Sequence, residues 1–366
     1  MADFVLKEVV TSDIFQELFN IGFDEGYRFV AGGKWSKYRY KNFKIFDLTL
    51  PQANILKQIA LSFGADCAVH RETITGKIEK TDALLGGSYS QLKKISEALK
   101  NQPFSMGKLA EVVLNELERE QRKTKLVGIF NATPDSFSNN EIPDKPECIT
   151  GLIEDGADVI DIGAESTRPG FTPVDDEEQI NRLKPVLEFI QKENISIPIS
   201  VDTRSSIVAE FALDNGAEII NDVSGFESDS KMPDIISKYN AGVIIQHWSD
   251  VTAKENFIDE IYLSLKQKAE LAQSKGIADI ILDPGIGFGK NKIQNYEIIN
   301  RVEEFFSLGF PIMLGVSRKS LLGVTENNNE LKDALTLAVS SPLIKKGVDY
   351  LRVHNVKLHR KLADIL

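Results

Sequence analysis

From Lys125 onward the chain repeats one pattern. A short run of apolar, mostly β-branched residues is followed by a polar cluster and then by a longer stretch with apolar residues three and four apart. The runs are Leu126–Phe130, Asp158–Ile162, Ile197–Val201, Glu218–Ile220, Gly242–Ile245, Asp279–Leu282, Pro311–Gly315 and Tyr350–Val353. Runs this short suit strands buried on both faces, as in parallel sheets. The stretches between them suit helices. In Asp175–Glu193, Ile180, Leu183, Leu187 and Ile190 make one face, and acidic residues fill the first turn, where the helix dipole favours them. Asn256–Lys275 repeats the spacing with Ile258, Ile261, Leu265, Ala269 and Ala272, and Gly276 follows as a cap. Ser205–Asn215 begins after Asp202-Thr203-Arg204, whose polar groups can satisfy first-turn amides. Eight such units fill residues 125–366, close to the ~250 residues of a closed (β/α)8 barrel. An open doubly wound sheet is the competing arrangement. Eight regular units without an antiparallel edge favour the closed TIM barrel.

Residues 1–122 follow no such repeat. Tyr38–Asp47 alternates like an exposed strand. Helical spacing follows near Gln52–Phe63 and Ser90–Leu99, and an amphipathic segment, Gly107–Arg122, runs into the charged stretch Glu116–Lys125. The expected organisation is a small α/β domain, 1–122, of unknown role, then an α/β catalytic barrel, 123–366.

Composition narrows the chemistry. Lys+Arg is 43 and Asp+Glu is 54, a net charge of −11. An acidic chain is a poor partner for nucleic acid, whose binding relies on many cation–phosphate contacts. The two cysteines, Cys67 and Cys148, are far apart and match no zinc spacing, which fits reduced thiols. No apolar run reaches the ~18 residues of a membrane span, and the N-terminus has no basic-then-apolar leader. A cytoplasmic protein, with no nucleic-acid or membrane partner, is expected.

In a (β/α)8 barrel the site lies at the C-terminal ends of the strands, and there every strand supplies polar residues. They are Asn131; Asp161 and Glu165; Asp202 and Arg204; Asn221 and Asp222; Gln246 and His247; Asp283; Ser317, Arg318 and Lys319; and Arg352, His354 and Asn355. Any one alone reads as a cap or a structural ion pair. Together they imply a polar ligand, because buried carboxylates cost several kcal/mol unless paired. Asp202, Asn221, Asp222, Asp283 and Lys319 form a ring suited to a heteroaromatic ligand with several N–H groups. Arg352 and His354 with Asn131 suit an anion, since the first and last strands meet when the barrel closes. Gly285-Ile286-Gly287-Phe288-Gly289-Lys290 lacks the phosphate-loop spacing and reads as a tight turn that lets Phe288 approach a ligand.

These segments, in order, resemble the motif set of the dihydropteroate synthases. They are Asn131–Ser138, Asp161–Gly170, Ser200–Thr203, Asn221–Gly225, Asp283–Lys290, Gly315–Ser320 and Arg352–Val356. The resemblance implies a barrel that condenses 6-hydroxymethyl-7,8-dihydropterin pyrophosphate with p-aminobenzoate, releases pyrophosphate, uses Mg2+ and is the target of sulfonamides. It implies that Asp202, Asn221, Asp283 and Lys319 hold the pterin, and that Asn131, Arg352 and His354 hold the pyrophosphate. Asn131 and Asp135 would be near the metal. Thr167, Arg168, Pro169, Phe288 and Ser320 would frame p-aminobenzoate. Asp202, Lys319, Arg352 and His354 would be the catalytic set, and a homodimer is expected. The sequence departs from the family pattern at Ala132, Ala164, Asn139-Asn140, Gln246, Trp248 and Asn355, none of which is an implied ligand. Two rivals differ in what they need. A methyltransferase barrel using methyltetrahydrofolate needs no anion site, and a silent paralogue would have lost Asn131, Asp202, Lys319 or Arg352.

Overall fold

The computed structural model describes residues 34–119, 122–132, 145–165, 174–324 and 328–366, together with Lys7, Glu17, Leu18, Asn20 and Ile21. The chain divides into two compact units, Met1–Glu120 and Gln121–Leu366.

The first unit holds a three-stranded antiparallel sheet of β1 (Tyr40–Thr49), β2 (Asp66–Val69) and β3 (Lys80–Ser88), in the order β1-β3-β2. Its helices are α1 (Leu50–Ser62), α2 (Tyr89–Leu99) and α3 (Met106–Glu118). Thr49 and Ser88 each form a capping box with a glutamine three residues on. Leu56, Leu85, Leu92, Ile95 and Met106 make a separate core for this unit. β2 and β3 are absent from the sequence reading. β2 is only four residues long, and β3 shows its alternation in Thr81, Ala83 and Leu85 before running into Gly86-Gly87.

The second unit is the closed barrel. Its strands are β4 (Lys125–Asn131), β5 (Val159–Gly163), β6 (Ile199–Asp202), β7 (Ile219–Asp222), β8 (Gly242–Gln246), β9 (Ile280–Asp283), β10 (Met313–Leu314) and β11 (Tyr350–Val353). All neighbours are parallel, in the order β10-β11-β4-β5-β6-β7-β8-β9. A parallel bridge between Leu282 and Ile312 joins the two ends. β10 is much shorter than Pro311–Gly315. Pro311 has no N–H to give the ladder, though its carbonyl accepts from Leu282 N at 2.9 Å. α5 (Asp176–Lys192) and α8 (Phe257–Ser274) match the expected stretches, and Asp175 caps the former by accepting from Glu178 N.

Alternation along the strands separates two apolar layers. Ile160, Ile162, Val201, Ile220, Ile245 and Leu282 pack with Leu183, Leu187, Leu265 and the other helix faces. Val127, Val159, Ile219, Ile244, Ile281 and Met313 form a second cluster, inside the barrel. The same alternation sets Asp161 two positions beyond Val159, Asn221 two beyond Ile219, Gln246 two beyond Ile244 and Asp283 two beyond Ile281. The barrel therefore has an apolar floor and a polar layer above it, at the C-terminal ends of the strands. Among the described residues, no helix is long and apolar enough to cross a membrane.

Candidate active site

Arg352 is the hub of the polar layer. Its Nε donates to Asp161 Oδ2 at 2.6 Å and its Nη2 to Asp202 Oδ2 at 3.0 Å. Asn221 Nδ2 donates to the same Asp161 oxygen at 3.1 Å. Asp161 is fully buried and Asp202 nearly so, whereas 19% of the Arg352 side chain is exposed. Burial pushes the Asp202 carboxyl up to about 7. Arg352 pulls it down, while the like charges of Asp161, Glu165 and Asp222 add to the rise. Burial also raises Asp283, although Lys319 and the Gly285 N–H oppose the rise.

Lys319 lies beside Asp283 electrostatically. Its ammonium donates to Ile286 O and sits 4.6 Å from the centre of the Phe288 ring. Burial lowers it to about 8, against the pull of Asp283 and Asp202. Phe288 in turn lies 5.3 Å from Trp248, so a cation and two aromatic rings make one wall. The turn that brings Phe288 here requires glycine. At Gly285, φ is +77° and a Cβ would come 2.0 Å from His247 O. Lys290 closes the turn by donating to Phe288 O at 2.8 Å and His247 O at 3.2 Å, and it lies 3.0 Å from His247 Nδ1. Burial, with Lys290 and Lys268 nearby, pushes His247 down to about 3 and leaves it neutral.

Lys319 follows a strained residue. Arg318 has φ +55°, a conformation unfavourable for a side chain with Cβ. The Nε and Nη2 edge of its guanidinium donates to both carboxylate oxygens of Asp333, at 2.7 and 3.0 Å, and Asp333 also accepts from Asn355 Nδ2 at 3.0 Å. Ser317 Oγ lies 2.9 Å from His354 Nδ1. The segment Ser317–Lys319 is thus tied to helix α10 (Asn329–Lys346) and to the end of β11.

The sequence expectations fall into place unevenly. Asp202, Asn221, Asp283, Lys319 and Arg352 share the polar layer. Asn131 ends β4 half-buried, Phe288 lines the wall, and Ser320 is exposed at the start of a short 3-10 turn. Asp222 does not belong to the ring. It follows Asn221 and so takes the opposite face, where it accepts from Ser224 N, Ser224 Oγ and Phe226 N and shapes the loop. Asp135, Thr167, Arg168 and Pro169 lie outside the described residues. Asp161, given no ligand role from sequence, is central. Its alternation with Val159 is the signal that points it inward.

For a magnesium ion the donor chemistry is compatible. Mg2+ usually takes one or two protein oxygens and completes its shell with phosphate and water. The Asn131 carboxamide oxygen at a strand end is such a donor. No group of three or more His, Cys, Asp or Glu that could hold a metal ion occurs among the described residues.

Comparison with known proteins agrees with this geometry. The model of the family described as pterin binding enzyme matches residues 127–354. A dihydropteroate synthase of Clostridium beijerinckii is 41% identical over 252 residues, which cover 66% of this chain and 93% of that protein. The chain belongs to the dihydropteroate synthase family. A dihydropteroate synthase structure from Clostridium difficile, determined in the presence of pteroic acid, has a TM-score of 0.62 and 39% identity. The match covers 67% of this chain and 96% of that one. Similarity also reaches into the first unit. A bifunctional dihydropteroate synthase/dihydropteroate reductase of Helicobacter pylori is 32% identical over 339 residues, 88% of either chain.

Proposed function

We propose that this chain joins 6-hydroxymethyl-7,8-dihydropterin pyrophosphate to p-aminobenzoate, giving 7,8-dihydropteroate and pyrophosphate. The observation that carries this reading is the polar layer around Arg352, in a chain of the dihydropteroate synthase family. Pteroic acid, the compound named with the Clostridium difficile structure, is itself a pterin joined to p-aminobenzoate.

The residues divide the work. The pterin presents several N–H donors. Asp283 supplies a buried carboxylate, and Asn221 Oδ1 is a buried acceptor with no partner. A buried acceptor left empty costs about 1–3 kcal/mol, and a pterin N–H would satisfy it. Lys319 serves the acceptor atoms of the ring. Arg352, His354 and Asn131 receive the pyrophosphate. Asn131 and Asp135 would hold Mg2+, which supplies further positive charge to the leaving group. The C–O bond breaks and its electron pair departs with pyrophosphate. Asp202 opposes the positive charge left on the pterin methylene. The amine lone pair of p-aminobenzoate forms the new C–N bond, and one N–H proton is released. Thr167, Arg168, Pro169, Phe288 and Ser320 would border that second substrate. This route needs electrostatic stabilisation rather than a covalent nucleophile.

The test is product identity. Incubation with both substrates and Mg2+ should yield dihydropteroate by mass spectrometry. A protein that binds the pterin but makes no dihydropteroate would refute the reading.

A further inference from the structure

We infer that Asp161 is a positioning residue that couples the pyrophosphate subsite to the pterin subsite. This inference rests on the function proposed above. Asp161 holds one proposed ligand from each subsite on a single oxygen. Arg352 Nε donates to its Oδ2 at 2.6 Å and Asn221 Nδ2 to the same atom at 3.1 Å. In sheet order, β11 and β7 stand two strands to either side of β5. No backbone ladder connects them directly, so this carboxylate is what relates Arg352 to Asn221.

The two carboxylates on Arg352 are not equivalent. Asp161 is completely buried, has the shorter contact and is braced by Asn221. Asp202 is 5% exposed, and Arg352 is its side-chain partner in the longer contact. Asp161 is therefore the permanent anchor and Asp202 the exchangeable one. Pyrophosphate can take the Nη edge of Arg352 and release Asp202 toward the pterin, while the Nε edge stays on Asp161. The arrangement has a cost. Asp161 Oδ1 is buried without a partner.

Asp161→Asn tests this with little change in volume. The amide oxygen can occupy the place of Oδ2, with the NH2 at the unpartnered position. The expected result is a rise of about 10-fold or more in KM for the pterin pyrophosphate, the usual effect of losing a charged hydrogen bond, with KM for p-aminobenzoate unchanged. A second readout is the acid limb of kcat/KM. The charges that act on Asp202 are Arg352, Asp161, Glu165 and Lys319 within the layer and Asp222 on the opposite face of β7. Removing the like charge of Asp161 lowers the Asp202 pKa, so the limb should move to lower pH. A merely structural role would reduce the folded fraction and leave both KM values in place, while the limb shift reports that the charge of Asp161 acts on Asp202. An unchanged KM for the pterin pyrophosphate in folded Asp161→Asn would overturn the inference.

A measurement on the unaltered protein covers the case where the variant does not fold. The Arg352 Nε–H resonance, assigned by its loss in Arg352→Lys, should be protected from exchange and should remain so when inorganic pyrophosphate is added. An unprotected signal, or one that pyrophosphate shifts to the position of a free arginine, would overturn the anchor role. Wild-type protein that made no dihydropteroate would count against the function, and the resonance would still decide the role of Asp161.

Discussion

Arg352→Ala should damage catalysis and stability together, and by different amounts at different pH. The catalytic part follows from losing a charged partner of the leaving group. Truncating such a partner costs about 2–5 kcal/mol, a fall of roughly 30- to 5000-fold in kcat/KM. The stability part follows from what the guanidinium leaves behind. Asp161 and Asp202 are 0% and 5% exposed, and both rely on Arg352. Removing one member of a buried ionic group costs about 3–5 kcal/mol, a large share of the roughly 5–15 kcal/mol that stabilises a native protein. The loss should depend on pH. In the wild type, Asp202 is already pushed up to about 7, and without Arg352 it must lie higher still. A carboxyl whose folded pKa exceeds its unfolded value of about 4 destabilises the fold as pH rises above 4, fully so above the folded pKa. Urea denaturation followed by circular dichroism should show a larger loss at pH 8 than at pH 5, with activity low throughout. An Arg352→Ala protein as stable as wild type at pH 8, with near-normal kcat/KM, would refute the account of this ion cluster.

Three further expectations follow from the site. Activity should rise with pH through about 7, as Asp202 ionises, and fall above about 8, as Lys319 loses its proton; Asp202→Asn should abolish the acid limb while remaining folded, and an acid limb that persisted would assign it elsewhere. p-Aminobenzoate, or a sulfonamide, should bind weakly to the free enzyme and far more tightly with pterin and pyrophosphate present, if the bound first substrate supplies part of the surface against which it packs; equal affinity by calorimetry in both states would contradict this order. A fragment beginning near Glu118 should be soluble and active, since each unit has its own core and the proposed ligands all lie beyond Lys125; an insoluble or inactive fragment would make residues 1–122 integral to the enzyme.

The barrel was legible because its information is local. Each strand is a short apolar run, each helix has one apolar face, and eight repeats leave few ways to close. Strand ends were less so. Pro198 and Pro311 delay or shorten strands whose apolar runs begin earlier. In the first unit, β2 and β3 were missed because four residues, or an alternation broken by Gly86-Gly87, carry little signal without their partner. The site divides in the same way. Residue types at strand ends pointed to the polar layer, but the pairing of Arg352 with Asp161 and Asp202 is a cross-barrel contact spanning 191 and 150 residues. Spacing along one strand cannot encode such a contact. Alternation could have separated Asn221 from Asp222 and drawn attention to Asp161, because the period of two was already visible.

The most direct test of the central claim is pyrophosphate release, measured with 6-hydroxymethyl-7,8-dihydropterin pyrophosphate and Mg2+ in the presence and absence of p-aminobenzoate. The account requires release that depends on p-aminobenzoate and matches dihydropteroate formation mole for mole. Release at the same rate without p-aminobenzoate, or none with both substrates present, would contradict it.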